Sequence, residues 1–189
     1  DPFIVENGGA IFIPKKYFSF SFPYDRSSKE HFIIELGAPY KEIRKAFLKI
    51  KKETRLKIKG FGDMTAQEVA KDSGLTIKMA ELAKKKKYNE SFKFEEPREA
   101  AKLLFRKIKE AGFNGTHGGK YYNIFGKNTD KGEAVRILRK LFKKEFKNVR
   151  TLGLGNGLND FPMLRVVDVP ILVQDKTGMW NPYVTSPRF

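Results

Sequence analysis

The sequence predicts an α/β fold, and three observations carry that expectation. Val149-Arg150-Thr151-Leu152 is a short β-prone run that leads through Gly153-Leu154-Gly155-Asn156-Gly157-Leu158-Asn159-Asp160 into the apolar pattern Phe161, Met163, Leu164, Val166 and Val167. Strand, glycine-broken turn and helix in that order is how an open α/β sheet presents polar groups at the carboxyl ends of its strands. Residues 10–125 alternate short β-prone runs with amphipathic helical ones, the pattern of a small α+β domain. From residue 126 onward the order is helix, strand, helix, strand.

Taken in order, Asp1-Pro2-Phe3-Ile4-Val5 is strand-like, Glu6-Asn7-Gly8-Gly9 is a turn, and Ala10-Ile11-Phe12-Ile13 is a second strand ended by Pro14. Asn-Gly-Gly between two apolar runs is a strong hairpin signal. Residues 15–29 are aromatic and irregular, a loop or ragged hairpin, and His31 to Leu36 is a strand. From Pro39 to Thr54, Tyr40, Ile43, Phe47 and Ile50 recur at helical spacing, with proline suited to the first turn. Leu56 to Lys59 is a short strand. Thr65-Ala66-Gln67-Glu68 has capping-box spacing and opens a helix that stops near Gly74, and Thr76 caps the next, to about Lys87. Ser91 to Phe94 alternates as a strand, and Pro97 to Glu110 repeats the helical pattern at Ala101, Leu104 and Ile108. Phe113 to His117 and Lys120 to Phe125 are strands around Gly118-Gly119. Asn128-Thr129-Asp130-Lys131-Gly132-Glu133-Ala134-Val135 is a polar turn opening a helix to about Lys144, with Asp130 as its cap.

At 189 residues the chain has room for one medium domain or two small ones with a real core. Its 40% hydrophobic content and 17 phenylalanines exclude a disordered composition. It contains no cysteine, which removes disulfide and thiolate chemistry and fits a cytoplasmic protein. No run approaches the length of a membrane span, and no basic-then-apolar leader opens the chain, so no membrane partner is expected. The net charge, 38 − 22 = +16, raises a nucleic-acid partner. Most of the basic residues, such as Lys41, Lys45, Lys49, Lys52, Arg139, Lys143 and Lys144, occupy the polar sides of amphipathic helices. Lys84-Lys85-Lys86-Lys87 is the one candidate for polyanion contact, and a small anionic ester is the favoured partner.

Chemistry concentrates in the glycine-rich turn. Three glycines in five residues permit tight or positive-φ backbone. Asn156, Asn159 and Asp160 supply oxygens there, hard ligands of the kind Mg²⁺ prefers. The competing reading is an ordinary helix start capped by Asn159 or Asp160.

The turn and the Asn128–Val135 stretch together resemble the third and fourth motifs of the haloacid dehalogenase (HAD) phosphatase superfamily. The wording Gly153 to Leu164, followed by Val167-Asp168-Val169-Pro170-Ile171-Leu172-Val173, resembles more narrowly the mannosyl-3-phosphoglycerate phosphatase family. Val5-Glu6-Asn7-Gly8-Gly9-Ala10-Ile11-Phe12 and Thr116-His117-Gly118-Gly119-Lys120-Tyr121-Tyr122 fit it too, so the resemblance runs along nearly the whole chain. It implies a HAD-like, partial Rossmannoid core with an inserted α+β cap of the C2 type. The implied borders are residues 1–9 for the end of the first core part and the cap entrance, 10–125 for the cap, and 126–189 for the carboxyl-terminal core.

The implied activity is Mg²⁺-dependent dephosphorylation of a glycosyl-3-phosphoglycerate, a phosphorylated glycoside, to mannosylglycerate, a compatible solute. Phosphoryl transfer is mainly positioning and charge neutralisation, so a lysine and a metal are expected beside the nucleophile. By the resemblance Lys131 steadies the nucleophile and the phosphoryl group, Asn159 orients phosphate, and Asp160 supports the metal site and holds the lysine. Asn156 stands where the family usually has an aspartate that binds Mg²⁺, so weak metal binding is expected. Glu90, His117, Gly118, Gly119 and Lys120 fall where relatives build the substrate surface. Backbone N–H groups around a Gly-Gly turn can hold an anion, although a plain hairpin with a solvated histidine reads equally well.

The resemblance also implies an aspartate nucleophile in an Asp-x-Asp strand ahead of the cap. The cap entrance already falls at residue 6 and no Asp-x-Asp occurs in the sequence. The expectation is a carboxyl-terminal part of the enzyme, inactive alone, whose unpaired strand edges favour poor stability or self-association. Two other readings stand beside it: a non-catalytic sugar-phosphate or anion-binding remnant, and a basic nucleic-acid-binding module.

Overall fold

The computed structural model describes residues 1–118, 120–174 and 177–181. The chain divides into two units, one formed by Asp1–Leu36 with residues 129–189 and the other by Gly37–Asn128.

The first unit opens with β1 (Phe3–Val5), β2 (Ala10–Pro14), β3 (Arg26–Ser27) and β4 (His31–Glu35), an antiparallel sheet in the order β1-β2-β4-β3. The second unit follows with α1 (Tyr40–Thr54), β5 (Ile58–Gly60), α2 (Ala66–Ser73), α3 (Ile77–Lys84), β6 (Asn89–Phe94), α4 (Ala101–Glu110), β7 (Phe113–Gly118) and β8 (Tyr121–Gly126). The chain then returns to the first unit with α5 (Lys131–Glu145), β9 (Leu152–Gly155), α6 (Phe161–Leu164) and β10 (Val169–Leu172).

The border between the units differs from the expected one. β2 pairs with β1 on one side and with β4 on the other, so the hairpin and everything to Leu36 belong to the first unit. The second unit starts at Gly37 rather than at residue 10 and runs to Asn128.

In the first unit, α5 lies on the sheet. Ala134, Ile137, Leu138, Leu141 and Phe142 pack against Ile11 and Ile13, the inward side chains of β2, and against Phe18 of the aromatic stretch that follows it. That stretch is held by ring contacts in place of backbone pairing: Phe18 meets Phe20, Phe22 and Phe142 at centroid distances of 5.5, 5.8 and 5.5 Å.

In the second unit, β5-β6-β8-β7 is antiparallel and carries α1 and α4. The helical spacing of Ile43, Phe47 and Ile50 on α1 and of Leu104 and Ile108 on α4 delivers all five to one cluster with Ile58, Phe92 and Ile124. Phe47 and Phe92 are almost wholly buried with centroids 5.2 Å apart, and removing either ring would cost about 3–5 kcal/mol. Helix starts follow the caps in the sequence. Thr65 Oγ1 accepts from Glu68 N at 3.1 Å while Thr65 N donates to Glu68 Oε2 at 2.7 Å, and Thr76 Oγ1 accepts from Met79 N at 3.3 Å. Gly74 closes α2 at φ +76°.

Strand β9 begins later than the β-prone run suggests. It takes in Gly153 and Gly155 and leaves out Val149 to Thr151, because parallel pairing with β10 fixes Leu152 to Val169 and Gly155 to Leu172. Among the described residues β10 is its one sheet partner. Leu152 and Leu154, on the same face of β9, are 59% and 55% exposed. No helix among the described residues is long and apolar enough to cross a membrane.

Candidate active site

Asp130 caps α5 through Oδ1, which accepts from Gly132 N at 2.6 Å and Glu133 N at 3.2 Å. Lys131 is thereby fixed as the first residue of the helix. Its ammonium donates to Asp160 Oδ1 at 2.5 Å, the lysine side chain being 26% exposed and the carboxylate 14%. Asp160 Oδ2 accepts from the backbone N–H of Asn156 and of Gly157, both at 3.1 Å. One carboxylate therefore grips a cation and the loop between β9 and α6 at once.

Burial opposes ionisation of Asp160, but the Lys131 bond and charge and the two N–H groups outweigh it and hold its carboxyl below the ordinary carboxylate range. A depressed folded pKa means a stability contribution fully present above the unfolded value of about 3.9 and lost as pH falls through the folded one. The cap reading of this segment is corrected. Asp160 stands at the N-cap of the four-residue α6 without a side-chain cap bond, since its oxygens turn to Lys131 and back to the loop.

The loop's glycines serve closeness and not left-handed backbone. None of Gly153, Gly155 and Gly157 has a positive φ. A Cβ on Gly155 would lie 2.5 Å from Asp160 Cβ, so only glycine lets that carboxylate fold back over the strand end. Asn156 is exposed on the loop, and Asn159 Nδ2 donates to Asn7 Oδ1 at 3.3 Å. The structure thus gathers Lys131, Asn156, Asn159 and Asp160 at one place and adds Asn7. Sequence reading gives Asn7 as a turn residue and part of the cap entrance; its partner is 152 positions away and leaves no local signal. For a metal, the oxygens are of the right hardness. Both oxygens of Asp160 are engaged, however, and among the described residues no group of three or more His, Cys, Asp or Glu side chains comes together.

The other expected residues lie in the second unit, and its own structure holds them. Glu90 is 1% exposed: its carboxylate accepts from Tyr40 Oη and from Gly62 N at 2.9 Å, with Arg44 Nη1 at 3.7 Å. Burial first, and then the bond to Glu90, push the Tyr40 hydroxyl well above its ordinary pKa. Lys120 Nζ donates to the Asp72 carbonyl and lies 3.3 Å from its carboxylate. His117 is exposed and stacks on Tyr122 with centroids 4.3 Å apart. Gly118 ends β7 opposite Tyr121, and Gly119 lies outside the described residues. The lysine run is not a free polycation. Lys84 Nζ donates to Phe61 O at 2.7 Å and to Met64 O, and Lys86 Nζ donates to Ser91 Oγ at 2.7 Å.

The sequence profile of the haloacid dehalogenase-like hydrolases matches residues 1–178. The chain is 46% identical over 183 residues to the glucosyl-3-phosphoglycerate/mannosyl-3-phosphoglycerate phosphatase of Methanococcoides burtonii, covering 97% of this chain and 67% of that protein. It is 39% identical over 174 residues to the mannosyl-3-phosphoglycerate phosphatase of Pyrococcus furiosus, covering 92% and 68%. The chain spans about two thirds of the length of these curated relatives. A solved sugar phosphatase of HAD subclass IIB superposes with a TM-score of 0.52 at 16% identity, over 92% of this chain and 63% of that one, a likeness of fold alone. On the profile match and these identities, the chain belongs to the haloacid dehalogenase-like hydrolases and has an α/β HAD-like fold.

Proposed function

We propose that this chain carries part of the active site of a phosphatase that cleaves the phosphate monoester of mannosyl-3-phosphoglycerate or its glucosyl counterpart. The observation that carries the reading is the Lys131–Asp160 pair at the entrance of α5, 2.5 Å apart and beside the loop that bears Asn156 and Asn159. The names of the relatives supply the substrate. In the same reading residues 37–128 are the family's C2-type cap, whose Glu90, His117, Gly118, Gly119 and Lys120 belong to the sugar-selecting part, and the setting is cytoplasmic.

A phosphate monoester carries close to two negative charges at neutral pH and repels an attacking carboxylate. A fixed cation between them lowers that repulsion without reorganising during the reaction. Lys131 is that cation; Asp160 keeps it aimed, and the amino-terminal end of α5 adds positive potential. In the first step a carboxylate oxygen forms a bond to phosphorus while the bond from phosphorus to the glycerate oxygen breaks, and that oxygen takes up a proton. In the second, water attacks phosphorus, releasing inorganic phosphate and the carboxylate. We assign the nucleophile and the proton donor to the share of the longer relatives that this chain does not span.

Mg²⁺ is the cofactor of this reading; when bound, it neutralises phosphoryl oxygens as a Lewis acid. Asn156 would offer it one neutral oxygen, and Asp160 would hold the loop from behind, its own oxygens being engaged. These residues fit the ion as part of a shell and do not complete one. The exposed Leu152 and Leu154 on the edge strand β9 further suggest self-association.

Phosphate release from mannosyl-3-phosphoglycerate should be absent with this chain and present once it is preceded by the segment its relatives have. In that longer form Lys131→Ala should lower turnover by roughly 10²–10³-fold; undiminished turnover in the variant contradicts the role. Asn156→Asp should tighten Mg²⁺ binding by roughly tenfold in a calorimetric titration, because a full charge close to the ion is worth at least the ~1.4 kcal/mol of a decade. Equal affinities would remove Asn156 from the metal site. In sedimentation, the chain should run as an oligomer that Leu154→Lys shifts toward monomer, and a monomeric parent contradicts the edge.

A further inference from the structure

The turn between β1 and β2 is more than a hairpin connection. Glu6, Asn7 and Gly8 have φ values of +49°, +59° and +94°, three successive residues in left-handed conformation. A two-residue Asn-Gly turn would account for two of them, and a glutamate in that region is unusual. Strained backbone of this kind persists where surroundings over-determine it. Here the surroundings are the candidate active site. A Cβ on Gly8 would lie 2.3 Å from Asp130 O and 2.8 Å from Lys131 N, so the turn presses on the backbone that starts α5. On its other side Asn7 Oδ1 accepts from Asn159 Nδ2 at 3.3 Å. Three segments remote in sequence are fixed to one another through residues 6–8.

That bond decides the polarity of the Asn159 amide. With its NH₂ end held by Asn7, its oxygen end turns to the loop: a Cβ on Gly157 would lie 2.5 Å from Asn159 Oδ1 and 3.6 Å from Asp160 Oδ2. We propose that Asn7 is a positioning residue: it holds the Asn159 amide with its NH₂ toward the turn and its oxygen toward Gly157, in the loop whose backbone N–H groups donate to Asp160. The proposal deepens the phosphatase reading and rests on it for its catalytic meaning.

Two variants separate positioning from turn formation, because both tolerate φ near +60°. Asn7→Gly keeps the backbone and removes the acceptor; Asn7→Asp keeps both. In this chain, NMR should find the Asn159 side-chain NH₂ exchanging with water roughly two- to tenfold faster in Asn7→Gly, the population change one net hydrogen bond carries, and near the parent rate in Asn7→Asp. In the longer, active form, Asn7→Gly should lower kcat by roughly tenfold with KM within about twofold of the parent, and Asn7→Asp should restore most of the loss. A residue that only makes the turn leaves Asn7→Gly equal to the parent in both readouts, and that result overturns the proposal. If the longer form releases no phosphate, the phosphatase reading fails while the exchange rates still decide the Asn7–Asn159 bond.

Discussion

Lys131 and Asp160 meet at 2.5 Å in partial burial, where an ammonium or a carboxylate left alone would carry an uncompensated desolvation cost. Each makes the other tolerable, and the remaining carboxylate oxygen is satisfied by two backbone N–H groups. The geometry around them follows from that requirement. The loop must curl so that residues 156 and 157 turn their N–H groups onto the carboxylate, glycine must stand at 155 for it to fit, and the first turn of α5 must face the loop. Asp130 makes that facing definite by capping the helix one residue before the lysine.

The two units rest on different physics. Residues 37–128 have a complete sheet with two helices on one face and a closed aromatic-aliphatic cluster. In the first unit the core between α5 and β2 is continuous, whereas β9 and β10 form a two-stranded parallel pair with exposed leucines. Parallel strands are ordinarily covered on both faces. The loop that bears Asp160 thus follows a strand with one sheet partner among the described residues and is tied down by a few polar bonds.

Much of this was legible in the sequence. Periodicity located the buried faces of α1 and α4, and cap residues located the starts of α2, α3 and α5, because both signals are local. Lys131 and Asp160 were singled out by resemblance, but neither spacing nor composition told that they touch. What stayed hidden was non-local. Glycines 153 and 155 read as a turn and form a strand because β10 lies beside them. The aromatic stretch after β2 belongs with α5, which no neighbour in sequence could tell. The resemblance places Glu90 at the substrate surface, and its buried bonds to Tyr40 and Gly62, from other stretches of the chain, leave no local signal.

A double-mutant cycle tests the central claim most directly. Lys131→Met, Asp160→Asn and the double variant would be unfolded by denaturant at neutral pH and near pH 3. The account predicts a favourable coupling of about 1–3 kcal/mol at neutral pH. It should shrink as pH falls through the depressed pKa of Asp160, where protonation removes the carboxylate. A coupling near zero at neutral pH would contradict the account, leaving the lysine and the aspartate as neighbours that do not hold each other.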